Sequence, residues 1–253
     1  MLLEFCDIVA SDIKSIISQA MALRSQRRFQ QAYELIAKEA IQHESIKRSL
    51  WEHEPVFWSD INAGICQLTR RNGADAAFIE QLWGKPDFLY SFHRHAGKFP
   101  NSRQELVKIL EREFVSNIGT SHALHWIVRD RKSQPWGILS LVDISLLHRR
   151  AEVLLGVLPD APLGLSTAAM LTLFQFYFRG LKFNKLYSLV YDDNPHSLKG
   201  TLHLGFNVEG RLRKHVLDPK SGTHINLVQT GLLAEDAFTP RNERLMRRLL
   251  APK

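Results

Sequence analysis

The amino-acid sequence predicts a mixed α/β (α+β) protein, in which a mostly antiparallel sheet is flanked by helices and preceded by a helical hairpin. Apolar residues recur at helical spacing over the first 44 residues, whereas strand-like alternation begins at residue 65. From there the predicted order of elements is β α α β β β α β α β β. The single crossover in this order predicts one parallel strand pair within an otherwise antiparallel sheet.

The sequence divides into three predicted parts: a helical segment at 1–60, a main domain at 61–236 and a basic tail at 237–253. The tail after residue 240 has five basic residues against Glu243, and its leucines recur at helical spacing. We therefore expect the tail to form a solvated amphipathic helix.

Residues 8–24 and 28–44 predict the two helices of the hairpin, with a short connection at 25–27. The residues Arg28-Phe29 and Ala32-Tyr33 are spaced as in one tetratricopeptide unit, which they resemble. One such unit cannot bury its own apolar face, so we expect it to pack on another part of the protein.

Turn and capping residues mark the elements of the main domain. Pro55 lies in a predicted connector at 53–64, and Asp75 is expected to cap the helix that follows it. Ser102 and Glu105 have the spacing of a capping box. The remaining predicted elements are strands at 65–69, 125–130, 136–145, 151–158, 185–193, 211–219 and 224–233, and helices at 76–83, 106–114, 166–181 and 195–203.

Composition and charge exclude several classes of protein. The 253 residues are 45% apolar, and no apolar run approaches the ~20 residues of a membrane span. Two cysteines are too few for a secreted disulfide framework, and the start of the chain does not resemble a signal peptide. A cytoplasmic location without membrane contact is the expectation. The net charge of +7 suits a polyanionic cofactor or an acidic carrier protein, but no nucleic-acid-binding module is recognisable.

Three sequence blocks resemble the GNAT superfamily of N-acetyltransferases, in particular the branch of ribosomal-protein N-terminal and amino-sugar acetyltransferases. The strongest block runs from Asn194 to Arg213 and contains Leu204-Gly205-Phe206 and Glu209-Gly210. The others are residues 136–141 and the pair Ala151-Glu152. The resemblance implies a GNAT fold and an enzyme that uses acetyl-CoA as co-substrate, without a metal, to acetylate an amine.

The resemblance also implies where coenzyme A binds. The backbone N–H of Val157 or Leu158 would polarise the thioester carbonyl, and Asn194 would bond the pantetheine arm. The pyrophosphate would lie on the turn at 160–167, against backbone N–H groups at the start of a helix. The turn residues assigned to this role are Gly164, Leu165, Ser166 and Thr167.

This turn departs from the family pattern. Ala161 stands where relatives carry Arg or Gln, and Pro162 has no N–H to donate. A strand-to-helix turn without a ligand is the alternative interpretation.

Two residues are candidates for the chemistry. Many relatives protonate the departing thiolate with a Tyr at the position of Thr201, whereas the N-terminal acetyltransferase branch uses a Ser that corresponds to Ser197. A capping role for Ser197 is compatible with this one. Glu152 is the best-placed carboxylate for a base or a water relay, although acidic residues at strand ends are often simply solvated.

Several functions stay open at this point. The acceptor is a protein N-terminus, an amino sugar or another small amine, and the donor is acetyl-CoA, a longer acyl-CoA or an acyl-carrier protein. A non-catalytic scaffold that recruits a partner through its helical segment is the third possibility. Two histidine pairs, His93/His95 and His122/His125, suggest a metal site by their spacing. We expect them to be surface histidines instead, because no Cys or helical Glu motif accompanies them.

Overall fold

A computed structural model describes residues 60–95, 99–115 and 122–251, together with single positions between 15 and 35. The chain divides into two compact units, Met1–Asp60 and Ile61–Lys253. In the first unit the described residues at 15–23 and at 31, 32 and 35 are helical, with a turn at Gln26. Most of the predicted hairpin and the connector at 53–59 lie outside the described residues, so the helical segment and its tetratricopeptide-like character stay predictions.

The second unit is built on an eight-stranded sheet with the order β1-β2-β3-β4-β5-β6-β8-β7. Every neighbouring pair is antiparallel except β5 and β6, which are parallel. The predicted fold class and the single parallel pair are thus confirmed. The strands are β1 (Ile61–Ala63), β2 (Cys66–Arg70), β3 (Leu124–Arg129), β4 (Pro135–Ser145), β5 (Arg150–Val157), β6 (Lys185–Tyr191), β7 (Asn207–Leu217) and β8 (His224–Leu233).

Helices cover both faces of this sheet. They are α1 (Ala76–Trp83), α2 (Pro86–Phe92), α3 (Arg103–Val115), α4 (Leu165–Phe174), α5 (Pro195–His203) and α6 (Pro240–Leu249). The chain continues from α4 into a π-helical segment, Gln175–Gly180. A short 3-10 turn, Gly73–Asp75, precedes α1.

One core cluster joins α1 and α3 to the sheet through Ile127 and Ile138. On the same face α2 lies so close to β5 that a Cβ at Gly156 would stand 2.6 Å from the ring of Phe92. On the other face most residues of α4 and of its π-helical segment are buried, and the Phe176 ring meets the Trp126 ring edge-on. This close packing fixes β5 between two helical layers.

Most predicted boundaries lie within two residues of the observed ones, but the short helix α2 was not predicted, and α3 and β7 begin three and four residues before their predicted starts. The strand β1 lies inside the predicted connector and has only three residues, too few to show alternation. Asp75 does not cap α1: Asn72 caps the preceding 3-10 turn, and the Asp75 carboxylate accepts from the Asn72 N–H instead. The Ser102 hydroxyl does cap α3, whereas Glu105 bonds the N–H of Asn101 rather than that of Ser102.

The predicted tail contains α6, which belongs to the second compact unit. Its Asn242, Met246 and Leu249 are buried, and its arginines are exposed. The Leu249 carbonyl accepts a hydrogen bond from the N–H of Ile65 in the β1–β2 turn, at 3.0 Å. The helix is therefore an integral part of the fold, with one solvated side.

Candidate active site

The parallel strands β5 and β6 are paired at one end only. Their register runs from Arg150↔Lys185 to Glu152↔Tyr187 and stops there, although β5 continues to Val157 and β6 to Tyr191. On its other side β5 stays paired with β4 as far as Val157. We call the space between the unpaired ends of β5 and β6 the open gap.

Alternation along β5 decides which backbone groups face the open gap. The Leu158 N–H donates to the Trp136 carbonyl at 2.8 Å, so it points toward β4. In an antiparallel ladder the backbone groups of successive residues point to opposite sides. The N–H and C=O groups of Val153, Leu155 and Val157 therefore face the gap. Of the two amides considered for the thioester carbonyl, only that of Val157 faces the open gap.

Glu152 lies where the pairing ends and is largely buried. Its carboxylate accepts a hydrogen bond from the backbone N–H of Leu189, on the gap-facing side of β6. Burial, together with the nearby negative charge of Asp143, raises the pKa of Glu152 to about 7, against the opposing effect of the Leu189 hydrogen bond. A carboxylate with this pKa exchanges a proton readily near neutral pH, as a general base requires.

A polar network stands beside Glu152 on the same face of the sheet. Asp143 accepts hydrogen bonds from Arg150 Nη1 and from the Tyr187 hydroxyl, both at 2.6 Å. These two hydrogen bonds, that of Tyr187 first, lower the pKa of Asp143. Asp143 therefore stays ionised, which disfavours the charged form of Glu152 and leaves Glu152 as the group that titrates.

The turn at 160–167 leads into the start of α4. Gly164 adopts a left-handed conformation (φ 85°) at the N-cap of α4, where a side chain would be strained. The Leu165 N–H is already donated to the Pro162 carbonyl at 3.0 Å. The exposed Ser166 and the half-buried Thr167 follow in the first turn, where helical N–H groups have no intrahelical acceptor.

Asn194 and Ser197 lie just after β6. The Asn194 side chain caps α5 by accepting from the Ser197 backbone N–H at 3.1 Å. Ser197 is exposed, and its carbonyl accepts from the Thr201 hydroxyl. The cap uses the Ser197 backbone, so it leaves the hydroxyl available. No hydrogen bond joins Ser197 to Glu152.

Three features of this region were not found from the sequence. One is the Asp143–Arg150–Tyr187 network. Another is Tyr177, whose hydroxyl donates to the Lys185 carbonyl at 2.8 Å and accepts from the Ala151 N–H, between β5 and β6.

The third feature is Arg94, which follows α2 and reaches the end of β6. Its guanidinium lies between the rings of Tyr90 and Tyr191, 3.9 and 4.1 Å from their centroids. It forms a bidentate pair with Asp193, at 2.9 and 2.5 Å. This clamp holds the α2 side of the molecule against the end of the open gap.

The histidine pairs give no metal site. His125 is partly buried, and its Nδ1 lies 2.8 Å from the Ser140 hydroxyl, so it is not the surface residue that we expected. Burial first, and then the charges of Arg71 and Arg70, lower the pKa of His125 well below its usual value. Within residues 60–95, 99–115 and 122–251, no group of three or more His, Cys, Asp and Glu is placed to hold a metal ion. None of the described helices has the length and apolar character needed to span a membrane.

An open strand pair beside a glycine-capped helix start is the architecture of acyltransferases that bind coenzyme A in extended form. Residues 67–207 match the family model described as the acetyltransferase (GNAT) domain. The chain belongs to the GNAT acetyltransferase family, which confirms the predicted resemblance.

Individual relatives carry the name of one acetyltransferase. The chain is 36% identical over 77 residues to the spermidine N(1)-acetyltransferase of Escherichia coli (strain K12). This match spans 30% of the chain and 41% of the relative. The same values hold for the protein of that name from Escherichia coli O157:H7.

Solved structures share the fold at lower identity. A spermidine N-acetyltransferase from Vibrio cholerae, in complex with CoA and spermine, is similar with a TM-score of 0.59 and 20% identity, over 69% of this chain and 98% of that one. The Vibrio cholerae spermidine/spermine N-acetyltransferase in complex with manganese ions gives 0.54 and 19%, over 68% and 94%. These likenesses show the fold.

Proposed function

We propose that this protein is an acetyl-CoA-dependent N-acetyltransferase that acetylates a primary amine of a polyamine. The observation that carries the reaction is the position of Glu152 at the mouth of the open gap, with a pKa of about 7. Membership of the GNAT family supports the donor. The names of the relatives support the acceptor in preference to a protein N-terminus or an amino sugar.

The residues present fit coenzyme A. Gap-facing backbone groups of Val153, Leu155 and Val157 match the amides of an extended pantetheine arm, which adds to β5 as a further strand would. Beyond them, the amides of Ser166 and Thr167 at the start of α4 suit the pyrophosphate. The Asn194 side chain already caps α5, so its proposed bond to the pantetheine has the weakest support among the cofactor contacts.

The chemistry is a direct transfer. The Glu152 carboxylate takes a proton from the substrate ammonium, and the freed amine nitrogen attacks the thioester carbonyl carbon. The N–H of Val157 stabilises the oxyanion that develops as the carbon–nitrogen bond forms. The carbon–sulfur bond then breaks, and the thiolate receives a proton from the exposed Ser197 hydroxyl, our candidate donor, while the second proton that the former amine nitrogen loses restores that hydroxyl.

Carboxylates on the Glu152 face suit a polycationic acceptor. The side chain of Asp143 is 58% exposed and that of Asp193 is 45% exposed, so both are accessible to substrate. Each also pairs with an arginine, so what the face offers a substrate ammonium is the remaining acceptor capacity of each carboxylate rather than an unneutralised negative charge. This arrangement supports a polyamine of several ammonium groups over a singly charged amine.

Thiol release from acyl-CoA, measured over an amine panel, tests the proposal. The panel contains spermidine, spermine, glucosamine and a peptide with a free N-terminus, each with acetyl-CoA, a longer acyl-CoA and an acylated carrier protein. We expect the highest kcat/KM for acetyl-CoA with a polyamine. A preference for glucosamine or the peptide would overturn the acceptor, and a preference for another donor would overturn acetyl-CoA. Absence of CoA binding would overturn the enzyme itself.

A further inference from the structure

The C-terminal helix α6 runs antiparallel to α4, and its last turn reaches the turn at 160–167. Near its start, Glu243 pairs with Arg179 of the π-helical segment at 3.5 Å. Further along, Met246 Sδ lies 3.8 Å from Gln175 Nε2. At its end, Leu249 packs on the turn, because a Cβ at Gly164 would stand 3.4 Å from Leu249 Cδ2. The last turn of α6 therefore adjoins the proposed pyrophosphate site.

Helical geometry places the arginines of α6 on different sides. With about 100° per residue, Arg241, Arg244 and Arg248 share one flank, whereas Arg247 lies on the far side from buried Leu249. The flank is oriented by Arg241, which hydrogen-bonds to His203 at the end of α5. Arg248 is two turns further along this flank, on the side toward α5 and at the level of the 160–167 turn.

Within the described part of the chain, no carboxylate neutralises the charges of three arginines of α6. Arg244, Arg247 and Arg248 are exposed, and none forms an ion pair with a residue in the described part of the chain. The carboxyl end of α6 would otherwise bring the negative end of a helix dipole next to bound phosphates. An arginine in the last turn offsets that effect and can bond a phosphate through two N–H groups.

The turn itself needs such a contribution. Ala161 offers no polar side chain, Pro162 has no N–H, and the Leu165 N–H is donated to Pro162. The backbone donors that remain in the turn include the amides of Leu163 and Gly164 and those of the first residues of α4. A cation from a neighbouring element would restore the affinity for phosphate that the turn lacks.

We propose that Arg248, supported by Arg244 one turn earlier, binds the phosphate groups of coenzyme A. This inference rests on the proposed function, because it assigns residues to the same cofactor site. It gives α6 a role in binding the cofactor, and it explains how a turn without a polar lead residue serves a polyanion.

Calorimetric titration of the full chain with CoA and with 3′-dephospho-CoA tests the assignment. We expect Arg248→Gln to weaken CoA binding about tenfold, as the loss of one charge-assisted contact does. The matched control is Arg247→Gln, which removes the same charge from a position about 100° away around the same helix, on the side facing away from buried Leu249, and is expected to change the dissociation constant less than twofold. Thermal melting of both variants verifies that α6 stays folded.

The outcomes separate the inference from the function on which it rests. An equal loss in both variants, or no loss in Arg248→Gln while the wild-type protein binds CoA, overturns the role of Arg248. Failure of the wild-type protein to bind CoA overturns the proposed function itself. If Arg248→Gln weakens CoA but not 3′-dephospho-CoA, Arg248 binds the 3′-phosphate; if it weakens both, Arg248 binds the pyrophosphate. Both results support the proposal.

Discussion

The two ends of the β5–β6 pair are made by the same strands, but they differ in strand pairing and in how their backbone polar groups are satisfied. At the amino end the strands are paired, and the buried Tyr177 hydroxyl is inserted between the Lys185 carbonyl and the Ala151 N–H. At the carboxyl end the strands separate, and Val153, Leu155 and Val157 turn backbone groups into the open gap. Glu152 stands at the boundary.

This contrast shows how one sheet combines a rigid support with a reactive opening. The closed end is backed by fully buried side chains and has its polar groups satisfied internally. The open end presents polar groups whose partners must come from a ligand. Substitutions at the closed end should therefore change stability, and substitutions at the open end should change catalysis.

The largest effect should follow from Glu152→Gln at the boundary. Loss of the base should lower kcat/KM by about 100-fold, within the range typical of general-base removal. Because Glu152 acts only when deprotonated, kcat/KM of the wild-type protein should rise with pH and then level off. The midpoint of the rise should lie near the Glu152 pKa of about 7. Steady-state thiol release between pH 5.5 and 9 measures both. A variant that keeps the same ionisation in its profile would remove Glu152 from the mechanism.

The same substitution should stabilise the fold at alkaline pH. Burial raises the pKa of Glu152 from 4.5 to about 7, so the folded state binds this proton more tightly than the unfolded state does. The associated stability is fully present below pH 4.5 and is lost as the pH rises through 7. At a pH above 7, where the wild-type carboxylate is ionised, Glu152→Gln should raise the free energy of unfolding by on the order of 1–3 kcal/mol. Urea unfolding at pH 5 and pH 8.5 gives the comparison, and equal differences at both would contradict the burial argument.

Tyr177→Phe, at the closed end, should lower the stability of the fold and leave catalysis nearly unchanged. Removing the hydroxyl leaves the Lys185 carbonyl and the Ala151 N–H without this partner in a buried place, which costs about 1–2 kcal/mol. Denaturant unfolding reports the loss. With folded protein, kcat should stay within about twofold, because the hydroxyl faces away from the open gap. A large fall in kcat at unchanged stability would show that the closed end takes part in the chemistry.

Ser197→Ala should lower kcat about tenfold with unchanged CoA affinity, a smaller decrease than the one expected for Glu152→Gln. The cap of α5 uses the Ser197 backbone N–H, so the variant should keep its stability. Asn194→Ala is the matched comparison: it removes the cap and should cost about 1 kcal/mol. An unchanged kcat in Ser197→Ala would leave the protonation of the thiolate to another group.

Sequence reasoning was most successful where the signal was local. The block from Asn194 onward predicted α5 with its correct bounds, and Ser102 predicted the start of α3. Glu152 was selected from its place at the start of a central strand, and its catalytic role stays a proposal. Its raised pKa could not be predicted, because it depends on burial and on Asp143 in another strand.

Features that join distant parts of the chain had no local signal. Tyr177 looked like one aromatic among several in a buried helix, and only the tertiary structure directs its hydroxyl between two strands. The Arg94 clamp joins residues 97 and 99 positions apart, so no spacing rule reveals it. The tail was predicted to be a solvated helix because arginines dominate its sequence pattern. In the structure one side of this helix is buried, through Met246 and Leu249.

Residue-resolved amide hydrogen exchange, with and without CoA, tests most directly whether the open gap holds the cofactor. The amides of Val153, Leu155 and Val157 should become protected when CoA binds. Those of Leu154 and Gly156, which point toward β4, and that of Ala151 at the closed end should change little. Protection of alternate residues along β5 is the predicted result. Binding of CoA without it would contradict the account.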